Sequence, residues 1–268
     1  MHSRTMHPCL KARTLFLSDI HLGFKRARVR ELAEFLQGIE AECIVLVGDI
    51  VDALSLAKRF FWTAEHTQVL RILMARRRAG ARLVYLPGNH DAALAVLAEM
   101  LHGQLEVHRE WVHRTARGAR LLVMHGDQFD EALDCPAWLY RLADCAYEAT
   151  LAVNHRLNDL RRSLGRSYLP LAERLKLALP TSARYIERFE RIAARHAKAQ
   201  GYDGVVCGHI HRARLCDIEG AVYANTGDWV ESCSALIEDR TGELQLCRWP
   251  HGAEQALRLL PPLLADAA

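Results

Sequence analysis

Five times in this chain a short apolar run stops abruptly and gives way to acids, amides or imidazoles. Leu15-Phe16-Leu17 leads into Ser18-Asp19-Ile20-His21, Cys43 to Val47 into Gly48-Asp49-Ile50-Val51-Asp52, and Leu83 to Leu86 into Pro87-Gly88-Asn89-His90-Asp91. Later, Leu121 to Met124 leads into His125-Gly126-Asp127, and Gly204 to Cys207 into Gly208-His209-Ile210-His211. Runs this uniform are strands of a sheet covered on both faces. In layered α/β folds ligands gather beyond the carboxyl ends of the strands, so the first three clusters, about 30 to 40 residues apart in sequence, are expected to meet in space.

The intervening sequence is helical in pattern. Val29, Leu32, Ala33 and Leu36 share one face of a helix over Arg28 to Gln37. A longer helix is expected from about Ser55 to Ala79, with Trp62, Val69, Leu70 and Leu73 turned inward and Gly80 ending it. From about Phe129 to Gln200 the chain makes a helical excursion. Trp138, Leu139, Leu142, Cys145, Ala146 and Ala149 form one stripe, Leu171 to Leu179 lie between Pro170 and Pro180, and Ser182 to Ala199 is a basic helix. After Cys207 the pattern is β, with strands at Val222 to Ala224, Ser234 to Ile237 and Leu244 to Cys247. Residues 1–13 are expected to fray, and the tail from Ala253 reads as either a short helix or disorder.

With 268 residues, half of them apolar, one α/β domain over 1–268 with a helical insertion at about 129–200 can bury its core without crosslinks. The eight cysteines are scattered with no Cys-x-x-Cys pair, and no leader pattern precedes the first strand, so a reduced, cytoplasmic protein with buried thiols is expected. No run approaches the ~18 apolar residues of a membrane span. The net charge of +3 is uneven: Leu151 to Gln200 holds eleven Lys or Arg against four Asp or Glu. That local surplus points to an anionic partner or to a solvated helical face.

Asp19, His21, Asp49, Asn89, His125, His209 and His211 are all oxygen or nitrogen donors, enough for two divalent metal ions sharing a carboxylate. Without a thiolate the set disfavours structural zinc and suits Mn²⁺ best, with Zn²⁺ or Fe²⁺ as alternatives, at a hydrolytic centre. His2, His7, His66, His102 and His251 fit no such pattern and read as ordinary packed or surface side chains.

In order and spacing, Asp19-x-His21, Gly48-Asp49-x-x-Asp52, Gly88-Asn89-His90-Asp91, His125-Gly126-Asp127 and Gly208-His209-x-His211 resemble the calcineurin-like metallophosphoesterase superfamily, over roughly Thr14 to Arg248. The resemblance implies a four-layer α/β/β/α sandwich. It implies Asp19, His21, Asp49 and His211 around one metal and Asp49, Asn89, His125 and His209 around the other, acidifying a shared water. His90 is then placed to protonate the leaving oxygen, with Asp91 fixing its tautomer and Asp52 holding a ligand imidazole. The helical excursion and its basic helices are similar to the branch containing UDP-2,3-diacylglucosamine diphosphatase. That branch implies a phosphorylated, lipid-linked substrate met at a peripheral membrane surface. Arg156, Arg161, Arg162 and Arg166 would meet phosphates or headgroups, and the stripe from Trp138 would accept acyl chains. Two features depart from the branch: His90 stands where an Arg is expected, and the stretch Asn225 to Trp229 differs. A soluble phosphodiesterase or nuclease is the second reading, although few aromatics interleave with the arginines and nucleic acid is a disfavoured partner. A non-catalytic scaffold is the third; loss of His90 or of a metal ligand would have favoured it, and none is lost.

Overall fold

Alternation along the strands decides the layering. In the computed structural model, which describes residues 10–96, 105–130, 150, 153–154, 156–158, 160–161, 163–164 and 180–249, strand β1 is Leu10–Leu17, β2 is Ile39–Val47 and β3 is Arg82–Leu86. Successive residues of these strands face opposite sides of the sheet. Leu15, Leu17, Ile44, Leu46, Leu83 and Tyr85 pack on helices α1 (Val29–Gln37) and α3 (Ala64–Arg78), which follows the six-residue α2 (Ala53–Lys58). Phe16, Val45, Val47, Val84 and Leu86 point the other way, into a second core shared with Leu121, Val123, Val206, Val222 and Ala224.

The second group belongs to a separate sheet. The first sheet runs β11-β10-β1-β2-β3-β4, with β4 at Glu106–Val107, β10 at Ser234–Glu238 and β11 at Leu244–Arg248. The second runs β5-β6-β7-β9-β8, with β5 at Trp111–Arg114, β6 at Arg120–Val123, β7 at Gly204–Cys207, β8 at Arg214–Ile218 and β9 at Ala221–Asn225. Helix α4 (Pro180–Ala199) covers its outer face through Ile186, Phe189, Ala193 and Ala197. The order of layers is therefore helix, sheet, sheet, helix, the α/β/β/α sandwich expected. β1 to β4 are parallel, as are β6, β7 and β9, so every turn that carries an expected ligand follows a strand of a parallel set.

Three expectations are corrected. β1 begins at Leu10, so residues 10–13 belong to the sheet: Leu10, Lys11 and Ala12 pair with Ile39, Glu40 and Ala41. The single long helix is two, because Arg59 is extended (φ −156°) and the aromatic run Phe60-Phe61-Trp62 cannot all face inward from one helix. Helix α3 restarts at a capping box formed by Thr63 and the buried His66, and Leu70 lies on its exposed side. The Trp138 stripe and Leu171 to Leu179 lie outside the described residues. Among the described thiols Cys207, Cys233 and Cys247 are buried and Cys43 and Cys216 half-buried, and burial pushes Cys207 up to about 12 and Cys43 and Cys247 up to about 11.

A buried ionic cluster joins the sheets away from the ligand-bearing turns. Glu238, fully buried on β10, accepts from Thr14 Oγ1 at 2.9 Å, Arg13 Nη1 at 2.7 Å and the Ala116 N–H at 2.7 Å, and lies 2.7 Å from His113 Nε2. Burial alone would raise this carboxyl; His113, the Ala116 N–H and Arg13 reverse that and hold it below its ordinary value of 4.5. Its contribution to stability is thus fully present above that value and is lost as pH falls through the lower folded-state value. We predict that Glu238→Gln lowers unfolding free energy by about 2 kcal/mol at pH 7. In urea titrations the gap between variant and parent should narrow below pH 4.5.

Candidate metal centre

Three of the five turns that carry the expected ligands share one backbone device. Beyond the buried strand ends, Asp19, His21, Asp49, His209 and His211 adopt left-handed conformations, with φ of 49°, 52°, 53°, 68° and 53°. Such backbone costs about 1–3 kcal/mol per residue and persists where the surroundings over-determine it. Among the described residues Glu219 and Cys233 are the other non-glycines that adopt it, so the strain concentrates on the expected ligands. Cross-links between turns hold it in place: the Asp19 N–H donates to Gly48 O at 3.0 Å and the His21 N–H to Asp49 O at 2.9 Å. Two glycines allow the close approach. A Cβ at Gly88 would overlap the Asp49 carboxylate and the His125 ring, and one at Gly208 would overlap Asp19 and Ser18.

Three groups of side chains result, each with its donor atoms within 4.8 Å of one another: Asp19, His21 and His211; His21, Asp49 and His90; Asp19, Asp49 and His125. His21 Nε2 lies 3.3 Å from His211 Nε2, and His211 Nε2 lies 3.2 Å from Asp19 Oδ1. Across the seam between the sheets, His125 Nε2 is 3.3 Å from Asp49 Oδ2, while its Nδ1 is fixed 2.9 Å from Val47 O. Asp49 belongs to the second and third groups, and Asp19 to the first and third.

Whether these residues suit metal ions can be tested on their electrostatics. Burial alone would raise Asp19, yet the imidazoles of His211 and His125 bring it down to about 2. Burial would likewise raise Asp49, and His125, His21 and His90 depress it. The imidazoles answer in kind: against burial, Asp49 and Asp19 push His125 up to about 10, and Asp52, Asp49 and Asp19 raise His21. The pocket therefore demands positive charge at its centre. Among the described residues, buried Asp19 Oδ1 and His125 Nε2 have no hydrogen-bond partner, although each faces the cluster. A set of carboxylate oxygens and imidazole nitrogens with orphaned donors and a deficit of positive charge fits divalent cations.

The other expected residues fall into place unevenly. Asn89 is exposed in the turn after β3, and His209 Nε2 lies 2.9 Å from Asp130 Oδ1. Asp52 approaches two imidazoles, His90 Nδ1 at 3.1 Å and His21 Nδ1 at 3.5 Å. Asp91 does not hold His90. It is fully buried and accepts the N–H groups of Gly88 at 2.7 Å, Ile50 at 2.7 Å and Val51 at 3.3 Å, which ties the second and third turns together. The reason is direction: a neighbour in sequence points away, while Asp52 reaches across from the preceding turn. Arg156 is exposed and Arg161 half-buried; Arg162 and Arg166 lie outside the described residues.

Several supporting residues went unread in the sequence. Ser18 Oγ donates to Asp19 Oδ2 and meets Thr226 Oγ1, and Asn225 Nδ2 donates to Gly208 O at 2.6 Å. The Asn-Thr-Gly-Asp-Trp stretch thus buttresses the first and fifth turns from β9, and a polar pentapeptide beyond one more apolar strand was the signal for it. Asn154, in the described part of the insertion, donates to Glu231 on the same loop at 3.4 Å.

The chain is 22% identical over 245 residues to a UDP-2,3-diacylglucosamine hydrolase of Neisseria meningitidis serogroup B, covering 83% of this chain and 92% of that protein. It is 24% identical over 252 residues to the protein of the same name from Stenotrophomonas maltophilia, covering 85% and 96%. Among solved structures it is similar to Yfce, a phosphoesterase from E. coli, with 15% identity, a TM-score of 0.48, and coverage of 94% of this chain and 99% of that one. The family model for calcineurin-like phosphoesterases matches residues 12–213, a span that includes all five turns with expected ligands. This chain accordingly belongs to the calcineurin-like phosphoesterase family, and it is a metal-dependent hydrolase.

Proposed function

We propose that the protein hydrolyses a pyrophosphate bond in a lipid-linked nucleotide, UDP-2,3-diacylglucosamine or a close amphipathic relative, releasing UMP. The observation that carries the phosphohydrolase part is the convergence of Asp19, His21, Asp49, His125 and His211 into overlapping groups of carboxylate and imidazole donors. The relatives' names, over more than four-fifths of this chain, support the lipid part. When bound, two divalent ions, Mn²⁺ by preference, supply Lewis acidity and a nucleophilic water near neutral pH. Asp19, His21, Asp49 and His211 would hold one ion, and Asp49, Asn89, His125 and His209 the other. His90, with Nδ1 on Asp52, keeps Nε2 for delivering a proton to the leaving oxygen.

The surroundings suit an amphipathic substrate at an anionic bilayer. Helix α2 starts one residue after Asp52, and its Ala53 N–H donates to His90 O at 3.2 Å. Leu54 is 51% exposed and Phe60 78%, Lys58 and Arg59 are exposed, and residues 53–62 contain no acid. Apolar and basic side chains interleaved beside the centre are the composition of an interfacial surface. Among the described residues no helix is long and apolar enough to cross a membrane.

The experiment is hydrolysis of UDP-2,3-diacylglucosamine in mixed micelles with Mn²⁺, following UMP. UMP release is expected, at a rate well above that for a soluble aryl phosphodiester. Hydrolysis of the aryl diester without UMP release would keep the phosphoesterase and overturn the lipid substrate.

A further inference from the structure

Beside the expected ligands lies a carboxylate to which neither the sequence reading nor the proposed reaction gives a task. Asp130 follows the short 3₁₀ turn Asp127–Phe129, just where the insertion leaves the second sheet. Its Oδ1 accepts the Tyr185 hydroxyl, from α4, at 2.9 Å and lies 2.9 Å from His209 Nε2. The His209 ring is enclosed on other sides by His125, with centroids 5.2 Å apart, and Phe189, at 6.0 Å, and its backbone N–H donates to Asp19 Oδ2 at 3.0 Å.

We propose that Asp130, steadied by Tyr185, is the positioning residue that makes His209 a metal ligand: it accepts the Nε2 proton, fixes the tautomer and leaves Nδ1 as the coordinating nitrogen. This rests on the two-ion reading of the centre. The arrangement needs an acceptor at Nε2, and the Asp130 carboxylate, held from its other side by the Tyr185 hydroxyl, is placed to be one. A carboxylate behind an imidazole raises its basicity and orients its ring, and losing one weakens metal binding about 10–100-fold. Asp130, just after the turn that follows β6, and Tyr185, in the first half of α4, therefore meet beside one expected ligand of the second ion.

The test titrates metal-free parent, Asp130→Asn and Tyr185→Phe with Mn²⁺ by calorimetry, and follows the spin-coupled Mn²⁺ pair by electron paramagnetic resonance. Parent protein is expected to take two ions. Asp130→Asn should bind the first unchanged and the second about 10–100-fold more weakly, losing the coupled signal at Mn²⁺ levels where the parent shows it. Tyr185→Phe, which removes one neutral hydrogen bond from the carboxylate, should weaken the second ion by about three- to tenfold. Two ions bound by Asp130→Asn as tightly as by the parent would overturn the proposal, as would equal weakening of both. Should Asp130→Asn misfold, unchanged binding by Tyr185→Phe overturns it instead. A parent that binds a single ion refutes the two-ion reading, and the assignment of His209 falls with it.

Discussion

Asp49→Asn should leave a folded protein that hydrolyses phosphoesters about three orders of magnitude more slowly, the upper end of what removing one preorganised electrostatic group does. The size follows from where the carboxylate stands. Its Oδ2 lies 3.3 Å from His125 Nε2 and 3.9 Å from His21 Nε2, while Oδ1 accepts the His90 N–H at 2.8 Å. Asparagine keeps the shape and can still accept from His90. It removes the charge that two of the three groups of side chains share. Metal analysis should therefore show fewer than two ions per chain. Mn²⁺ at 100 times its dissociation constant should stabilise the parent by about 2.7 kcal/mol and the variant by much less. A variant that still binds two ions and turns over at the parental rate would remove Asp49 from the centre.

Much of this centre was legible because the signal is local. An apolar run ending in Asp-x-His or Gly-His-x-His declares both a buried strand and its cargo, and the parallel order of β1, β2 and β3 then brings the turns together. What could not be read depends on contacts across the fold. Asp130 follows His125 by five residues, but its link to His209 exists only because β6 and β7 are neighbours in the second sheet. Asp91 sits next to His90 in sequence and turns the other way to bind backbone, while Asp52, 38 residues earlier, meets the imidazole. Strands β5 and β8 went unseen for a related reason. As the edges of their sheet they carry Arg114, Arg214 and Asp217 among apolar residues, so neither shows the continuous apolar run of a central strand. The long helix failed because hydrophobic periodicity survived a break: Trp62 keeps the phase of the helix but lies before its restart at Ala64.

His90→Gln separates the two roles a residue at this position can play. With Nδ1 held by Asp52 at 3.1 Å, His90 has one nitrogen left to give a proton, and the side chain is 31% exposed, open to a bound substrate. A general acid matters in proportion to how badly the leaving oxygen needs the proton. On a substrate with a poor leaving group, such as an alkyl phosphodiester, turnover is expected to fall about 10²–10⁴-fold. On a nitrophenyl ester, whose leaving oxygen departs as an anion, the fall should be under about tenfold. If His90 merely binds phosphate, both substrates should lose equally and the loss should appear in KM. His90→Arg sharpens the comparison, because guanidinium clamps a phosphate through paired hydrogen bonds yet cannot release a proton near neutral pH. It should hold KM for a diphosphate near the parental value while losing turnover in the same leaving-group-dependent way. Asp52→Asn should show a weaker version of the same pattern, since the imidazole keeps its place in the turn but loses the carboxylate that orients it. The order His90→Gln, His90→Arg, Asp52→Asn in severity on the poor leaving group, collapsing toward parity on the good one, is the signature of a proton donor oriented from across the turn.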